Sequence, residues 1–197
     1  MPGVMRLLPS KHKVAAIILL SCLSGCRTGP ASSNTKSNAV VSKTPQTPFT
    51  LSIVPTTSRS DSRDITLAAN KPNEFYLVLT NISNDPQLVW EYWNSWGYQT
   101  ISFEFTLNDN RRIIVSKRAQ GFTKNFPSTF MIPPREHTVY VIRLDREWDT
   151  SGIPKSPEMP VTLKAIYEVL QTPEASNYNV WTGRIESANY KLTLRQW

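Results

Sequence analysis

Cysteine and histidine are nearly absent from this 197-residue sequence. The two cysteines, Cys22 and Cys26, both lie in its first 26 residues, so the rest of the chain cannot form an internal disulfide. Only His137 lies beyond that point, which excludes a two-histidine metal site there, and the missing thiols exclude a cysteine nucleophile. The stability of the main part must therefore come from a packed core, and about 150 residues are enough for one domain.

The motifs of common enzyme classes are missing as well. The sequence contains no phosphate-binding loop, nucleophile elbow or dinucleotide fingerprint. Asp145, Glu147 and Asp149 alternate along the chain and resemble a possible cation site, but Arg143 and Arg146 lie close enough to neutralise them. We therefore predict no metal, no cofactor and no enzymatic activity.

Long hydrophobic runs are also missing. The longest apolar stretch is the ten-residue segment 14–23, and it follows the basic residues Arg6, Lys11 and Lys13. As a helix it would cover only about 15 Å of a hydrocarbon core that is about 30 Å thick. A short apolar run behind a positive segment is typical of a secretory signal, and we predict such a signal in residues 1–25.

The four residues Leu23-Ser24-Gly25-Cys26 close this segment. They resemble the lipobox of bacterial lipoproteins. The resemblance implies cleavage before Cys26, a diacylglycerol on its thiol and an acylated amino group, and two or more acyl chains hold a domain stably on a membrane. Residue 27 is arginine rather than the aspartate of inner-membrane retention, which favours the outer membrane if the cell has one. An ordinary secretory signal cut nearby is the alternative.

The net charge of +7 is concentrated before the predicted domain. Six of the 22 basic residues and none of the 15 acidic residues precede residue 49, so residues 49–197 carry a net charge of only +1. This balance argues against a nucleic-acid partner. Residues 27–48 are rich in Ser, Thr, Asn and Pro and contain no aromatic residue. We predict that lipidated Cys26 and these residues form a disordered tether, 26–48.

Short apolar runs separated by Pro, Asn, Asp and Gly begin at Phe49 and predict β-strands. We predict loops at 121–127 and 149–160. Residues 49–197 should form a single all-β domain, an antiparallel β-sandwich of about seven to nine strands. The predicted strands are 49–55, 65–67, 74–81, 87–93, 98–107, 112–117, 137–144, 161–170 and 181–194.

Several short motifs between residues 81 and 169 occur in a familiar order. They are Asn81-x-Ser83-x-x-Pro86 after a strand, Pro133-Pro134 before Tyr140-x-Ile142, and Trp148-Asp149. This order is similar to that in the immunoglobulin-like (Ig-like) domains of the bacterial intracellular proteinase inhibitor family. The resemblance implies an Ig-like sandwich and suggests protease inhibition. The tripeptide Trp96-Gly97-Tyr98 is similar to one in a family of bacterial lipoproteins and implies no activity.

Two stretches are candidate binding sites. Residues 90–98 contain three tryptophans and two tyrosines, and we predict an exposed aromatic surface formed by Trp93, Trp96 and Tyr98. The alternative is that all five rings belong to the core and its rim. In the loop 121–127, Lys124 and Asn125 are candidates for insertion into a protease cleft.

Together these features predict a lipid-anchored protein of the bacterial cell envelope. Membrane attachment through Cys26 would present a non-enzymatic Ig-like domain that binds an envelope protein or a glycan. The alternatives are a protease inhibitor on the same scaffold and a structural envelope subunit.

Overall fold

The computed structural model describes residues 47–56, 65–68 and 74–195. All of them belong to one unit of the chain, which extends from Lys43 to Trp197. The predicted signal peptide, Cys26 and most of the predicted tether lie outside the described residues. Thr47 and Pro48 are the exception, because the Pro48 carbonyl accepts a hydrogen bond of 2.8 Å from the backbone of Ile82. Pro48, at the end of the predicted tether, is therefore bonded to the described fold.

An all-β fold is confirmed, since just over half of the described residues lie in strands. No helix in this part of the chain has the length and apolar character needed to cross a membrane. The elements are β1 (Phe49–Pro55), β2 (Ile65–Ala68), β3 (Glu74–Asn81), β4 (Gln87–Trp90), α1 (Ser95–Tyr98), β5 (Ile101–Thr106), β6 (Arg112–Ser116), β7 (Thr129–Ile132), β8 (His137–Arg143), β9 (Glu158–Val169), α2 (Pro173–Asn177), β10 (Gly183–Glu186) and β11 (Tyr190–Arg195).

The strands form three sheets. The first has the order β1-β3-β8, the second has the order β2-β11-β9-β5-β6 with β10 also paired to β9, and the third is the pair β4-β7. The strand pairs are antiparallel, as predicted, except β2 with β11, which run parallel. The described residues contain eleven strands, more than the predicted number, because one strand, β7, was not predicted and the predicted range 181–194 is divided into β10 and β11.

Alternation of apolar and polar residues explains how the core forms. In β3, the side chains of Phe75, Leu77 and Leu79 are fully buried while their neighbours are only partly buried, as expected when one face of a sheet packs inward. Across the sandwich, Phe75 meets Phe103 of β5 edge to face, with 5.3 Å between ring centroids. Each such side chain contributes about 1.5–3 kcal/mol through burial.

The strand predictions failed where local hydrogen bonding competes with the apolar pattern. The predicted strand 87–93 ends at Trp90, because Asn94 caps a short helix, α1, instead of continuing the sheet. The predicted strand 98–107 accordingly begins only at Ile101. Strand β7 was not predicted, and β9 begins at Glu158, inside the predicted loop 149–160.

Candidate functional site

The aromatic tract leaves β4 as a turn and a short helix rather than as a strand. The side chain of Asn94 accepts a hydrogen bond of 2.9 Å from the backbone of Gly97, and its amide donates to the Ser128 carbonyl at 3.0 Å. Gly97 is required at this point, because a Cβ there would lie 2.1 Å from the carbonyl oxygen of Glu91. The tract is thus folded back tightly on its own backbone.

The predicted inhibitor loop lies against this helix. The Asn125 side chain accepts a hydrogen bond of 3.0 Å from the backbone of Ser95 and donates one of 2.8 Å to its hydroxyl. The Ser128 carbonyl also accepts a hydrogen bond of 3.0 Å from the backbone of Glu91. The two predicted binding stretches, 90–98 and 121–127, therefore form one continuous surface. Lys124 is exposed on it beside Asn125.

At the centre of this surface are two exposed rings. Trp93 is 49% exposed and Phe126 is 56% exposed, and they meet edge to face with 5.1 Å between centroids. Trp93 comes from the tract and Phe126 from the loop, so the pair joins the two segments. We call Trp93 and Phe126 the Trp93–Phe126 pair. It is an apolar feature in contact with solvent, which makes it suitable for contact with a partner.

The other two predicted surface residues face differently. Trp96 is half-buried and packs on Trp90, with 5.9 Å between ring centroids. Tyr98 is only 6% exposed, and its ring contacts Phe122 edge to face at 5.5 Å. The prediction of an exposed Tyr98 is therefore wrong, because the last turn of α1 points this ring into the interior.

Behind the tract, a lysine is enclosed by aromatic rings. The Lys117 side chain is only 7% exposed, and its Nζ lies 4.9 Å from the ring centre of Tyr98, 5.4 Å from that of Tyr92 and 5.0 Å from that of Trp148. Its ammonium group forms an ion pair with Glu147. We call this arrangement the Lys117 cage. It combines cation–π attraction with a counter-ion in a site shielded from water.

Sequence reasoning missed the Lys117 cage, although a signal was present. Lys117 lies two residues after the buried Val115, so continued alternation places its side chain on the inward face. A lysine at an inward position requires partners, and Tyr92, Tyr98 and Trp148 supply them. No local pattern links Lys117 to these rings. Lys117, the tyrosines Tyr92 and Tyr98, and Trp148 come from three separate segments of the chain.

Two of the three alternating carboxylates pair with basic residues other than the predicted Arg143 and Arg146. Glu147 pairs with Lys117, and Asp149 lies 3.2 Å from a guanidinium nitrogen of Arg118. A hydrogen bond from the Ser151 hydroxyl holds the pKa of Asp149 below its usual value. Within the described residues, no group of three histidine, cysteine, aspartate or glutamate side chains is placed to hold a metal ion.

The tyrosines of this region are neutral groups at physiological pH. Burial, with a further contribution from the charge of Glu147, raises the pKa of both Tyr92 and Tyr98 above the ordinary tyrosine value. Burial likewise raises the pKa of Tyr140 and Tyr167. These phenols therefore serve as uncharged packing surfaces rather than as bases.

Comparison with known proteins adds no relative to this description. The chain matches none of the known protein families, none of the curated proteins and none of the solved structures against which it was compared.

Proposed function

We propose that this protein is a lipid-anchored component of the bacterial cell envelope, and that its β-sandwich binds an envelope protein or glycan through the Trp93–Phe126 pair. The observation that supports the binding role is the exposure of two large rings on a surface held in place by hydrogen bonds. The anchoring role is supported by the lipobox-like residues that end at Cys26.

The energetics favour a partner contact at the Trp93–Phe126 pair. An aromatic side chain presents about 200 Å², and roughly half of each ring remains in contact with water. Covering that area is worth about 2–3 kcal/mol per ring at about 25 cal/mol per Å². Because Asn94 and Asn125 already fix the two segments, little conformational entropy remains to be lost on binding.

The side-chain chemistry of the described residues supports binding rather than catalysis. The enclosed Lys117 is paired with Glu147, and burial keeps the neighbouring Tyr92 and Tyr98 neutral. A general base or an activated nucleophile needs a group that can exchange protons near neutral pH. We infer a non-enzymatic adaptor or recognition domain.

Site-specific crosslinking in the native envelope tests the binding role. Phe126 is replaced with the photoreactive residue benzoylphenylalanine, and the matched control carries it at Ile114 on β6, which is 54% exposed against 56% for Phe126. We expect a discrete adduct from position 126 that is missing from position 114. Equal adduct patterns at both positions, or none at either, would contradict the proposal.

The class of ligand is settled by a second measurement. Titration of soluble peptidoglycan fragments should change the tryptophan fluorescence of the wild-type chain, but not that of Trp93→Phe, if the partner is a glycan. If no fragment changes the spectrum while position 126 crosslinks to a polypeptide, the partner is a protein.

The anchor has its own test, independent of the partner. Growth with a clickable palmitate analogue should label the wild-type protein and leave Cys26→Ala unlabelled. Equal labelling of the two proteins would rule out lipidation at Cys26.

One observation supports the alternative of a protease inhibitor. Loops that resist cleavage are held rigid from behind, and Asn125 ties the loop 121–127 to α1 through Ser95 while Lys124 stays exposed. A panel of trypsin-like proteases distinguishes the outcomes. Inhibition that is lost in Lys124→Ala would support this alternative, and rapid cleavage after Lys124 without inhibition would exclude it.

A further inference from the structure

Strand β8 leaves one of its edges unpaired within the described part of the chain. It pairs there only with β3. Asn81 bonds the backbone of Arg135 and Glu136, just before β8, and antiparallel ladders alternate from residue to residue. By this alternation Thr138, Tyr140 and Ile142 bond β3, whereas the N–H and C=O groups of Val139 and Val141 point away from it.

Apart from Arg143 at its end, this edge lacks the features that usually protect an edge strand. Exposed edges are commonly short, or are interrupted by proline or lysine. Strand β8 has seven residues, contains neither proline nor lysine, and exposes Val139 and Val141 to 48% and 51%.

The open edge of β8 borders a groove. Val139, Tyr140 and Val141 line it from β8, and Tyr92 and Phe130 line it from the neighbouring β4–β7 region. Strands β7 and β8 follow each other in the chain but do not pair, and both contribute to the lining of this groove. Apart from Glu91 and Thr138, the lining is aliphatic or aromatic, which suits the side chains of an extended strand.

A single acidic group gives the groove its charge. Within the part of the chain that the structure describes, Glu91 is the only charged residue that lines the groove. Among the described residues, no ion pair or side-chain hydrogen bond involves its carboxylate, while its backbone is held by Ser128 and Asn94. An unpaired carboxylate beside an apolar groove favours a ligand with a positive charge at the matching position.

We propose that this groove binds an extended segment of a partner protein by strand addition to β8. The added strand bonds the outward backbone groups of Val139 and Val141. It carries β-branched or aliphatic side chains and a lysine or arginine that reaches Glu91. Backbone hydrogen bonds supply affinity in this mode, and the side-chain contacts supply specificity. The site uses neither Trp93 nor Phe126, so it is additional to the surface proposed above.

Hydrogen exchange at single amides, measured by NMR on the full chain, tests the proposal. The probe is an acetylated hexapeptide of alternating threonine and valine that ends in lysine. At a concentration ten times its dissociation constant, it should slow exchange at Val139 and Val141 about tenfold. The amides of Thr138 and Tyr140, already bonded to β3, serve as the internal reference and should not change.

Two controls separate backbone pairing from charge. The same peptide with N-methyl groups on successive residues should not bind, because neither of its edges can complete the ladder. A peptide ending in glutamate should bind about threefold more weakly, and Glu91→Gln should abolish that difference.

Three results would overturn the proposal. They are unchanged exchange at Val139 and Val141 with every peptide, equal binding of the N-methylated peptide, and slow exchange at these amides before any peptide is added. If that slow exchange increased with protein concentration, a second copy of the chain would be the occupant instead. Because Trp93→Ala should leave this assay unchanged, a failure here is distinguishable from a failure of the crosslinking experiment.

Discussion

The Lys117 cage and the Trp93–Phe126 pair are built from the same short aromatic stretch but have opposite properties. In the cage, Tyr92 and Tyr98 surround a lysine of the chain itself, together with Trp148. In the pair, the rings of Trp93 and Phe126 meet each other and remain about half exposed. The capacity of a ring to bind a partner therefore depends on whether the fold already supplies its contacts, not on aromatic composition.

The comparison assigns the two regions different roles. The Lys117 cage ties β6 to the segment around Trp148, where the Arg118 backbone also bonds the Glu147 carbonyl at 2.7 Å, and so it stabilises the fold. We propose that the Trp93–Phe126 pair serves recognition, and its half-exposed rings contribute less to stability than the cage does. The two roles can be separated by measuring stability and partner capture in variants of each region.

Removal of the enclosed lysine should have the largest effect. Lys117→Ala deletes the cation–π contacts and leaves a cavity between rings, and we expect unfolding to require about 3 kcal/mol less free energy. Lys117→Met, which restores the volume without the charge, should lose about 1 kcal/mol. Urea denaturation measures both, and the exposed Lys124→Ala is the control. Equal loss in the Met and Ala variants would show that the space filled by Lys117 is unimportant.

The tight turn at Gly97 should be the next most sensitive to substitution. A Cβ at Gly97 would overlap the Glu91 carbonyl, whereas a Cβ at Gly121 would have no atom within 4 Å. Gly97→Ala should therefore lower the free energy of unfolding by about 2 kcal/mol, and Gly121→Ala should leave it nearly unchanged. A comparable loss in both variants would contradict the tight turn.

High pH should lower the stability of the domain through the enclosed tyrosines, whereas the Trp93–Phe126 pair has no titratable group. Burial raises the pKa of Tyr92 above the ordinary value of 10.0, so the unfolded chain loses this proton first as the pH rises. The stabilising contribution is complete below pH 10 and declines above it, by about 1.4 kcal/mol per pH unit for one tyrosine. Tyr92→Phe should flatten the decline by this amount in urea midpoints measured from pH 8 to 11. An unchanged slope would mean that Tyr92 is more accessible than the structure indicates.

The hydrogen bonds between Asn125 and Ser95, which hold the loop of Phe126 against α1, should have a smaller effect on stability. Asn125→Ala removes two hydrogen bonds to Ser95 and should cost about 1 kcal/mol. Crosslinking from position 126 should fall in this variant because the loop is no longer held. Undiminished crosslinking would show that partner capture by the pair does not depend on the hydrogen bonds of Asn125.

Alternation in the sequence was enough to predict much of the fold. Strand β3 coincides with the predicted range 74–81, and β1 and β8 deviate by one residue at most. Strand β7 escaped prediction because its four residues lie between prolines and are too few to show a period. The strand prediction for the aromatic tract was wrong for a different reason. The hydrogen bond from the Asn94 amide to the distant Ser128 carbonyl helps to decide where β4 ends.

The candidate site was only half visible from the sequence. Trp93 and Lys124 were identified as exposed candidates from residue type alone, and both are exposed. That their two segments form one surface depends on contacts between residues about thirty positions apart, such as Asn125 with Ser95, and no local pattern encodes such contacts. The enclosure of Lys117 depends on the packing of three segments and was missed for the same reason.

The most direct test of the account measures stability and partner capture in the same variant. In Trp93→Ala, we expect the domain to stay folded with a loss of about 1–2 kcal/mol in the free energy of unfolding, while the adduct formed from position 126 disappears. Ile114→Ala, at a residue of similar exposure, should keep the adduct. A Trp93→Ala protein that retains the adduct, or that loses it only because the domain unfolds, would contradict the claim that this exposed pair exists for recognition.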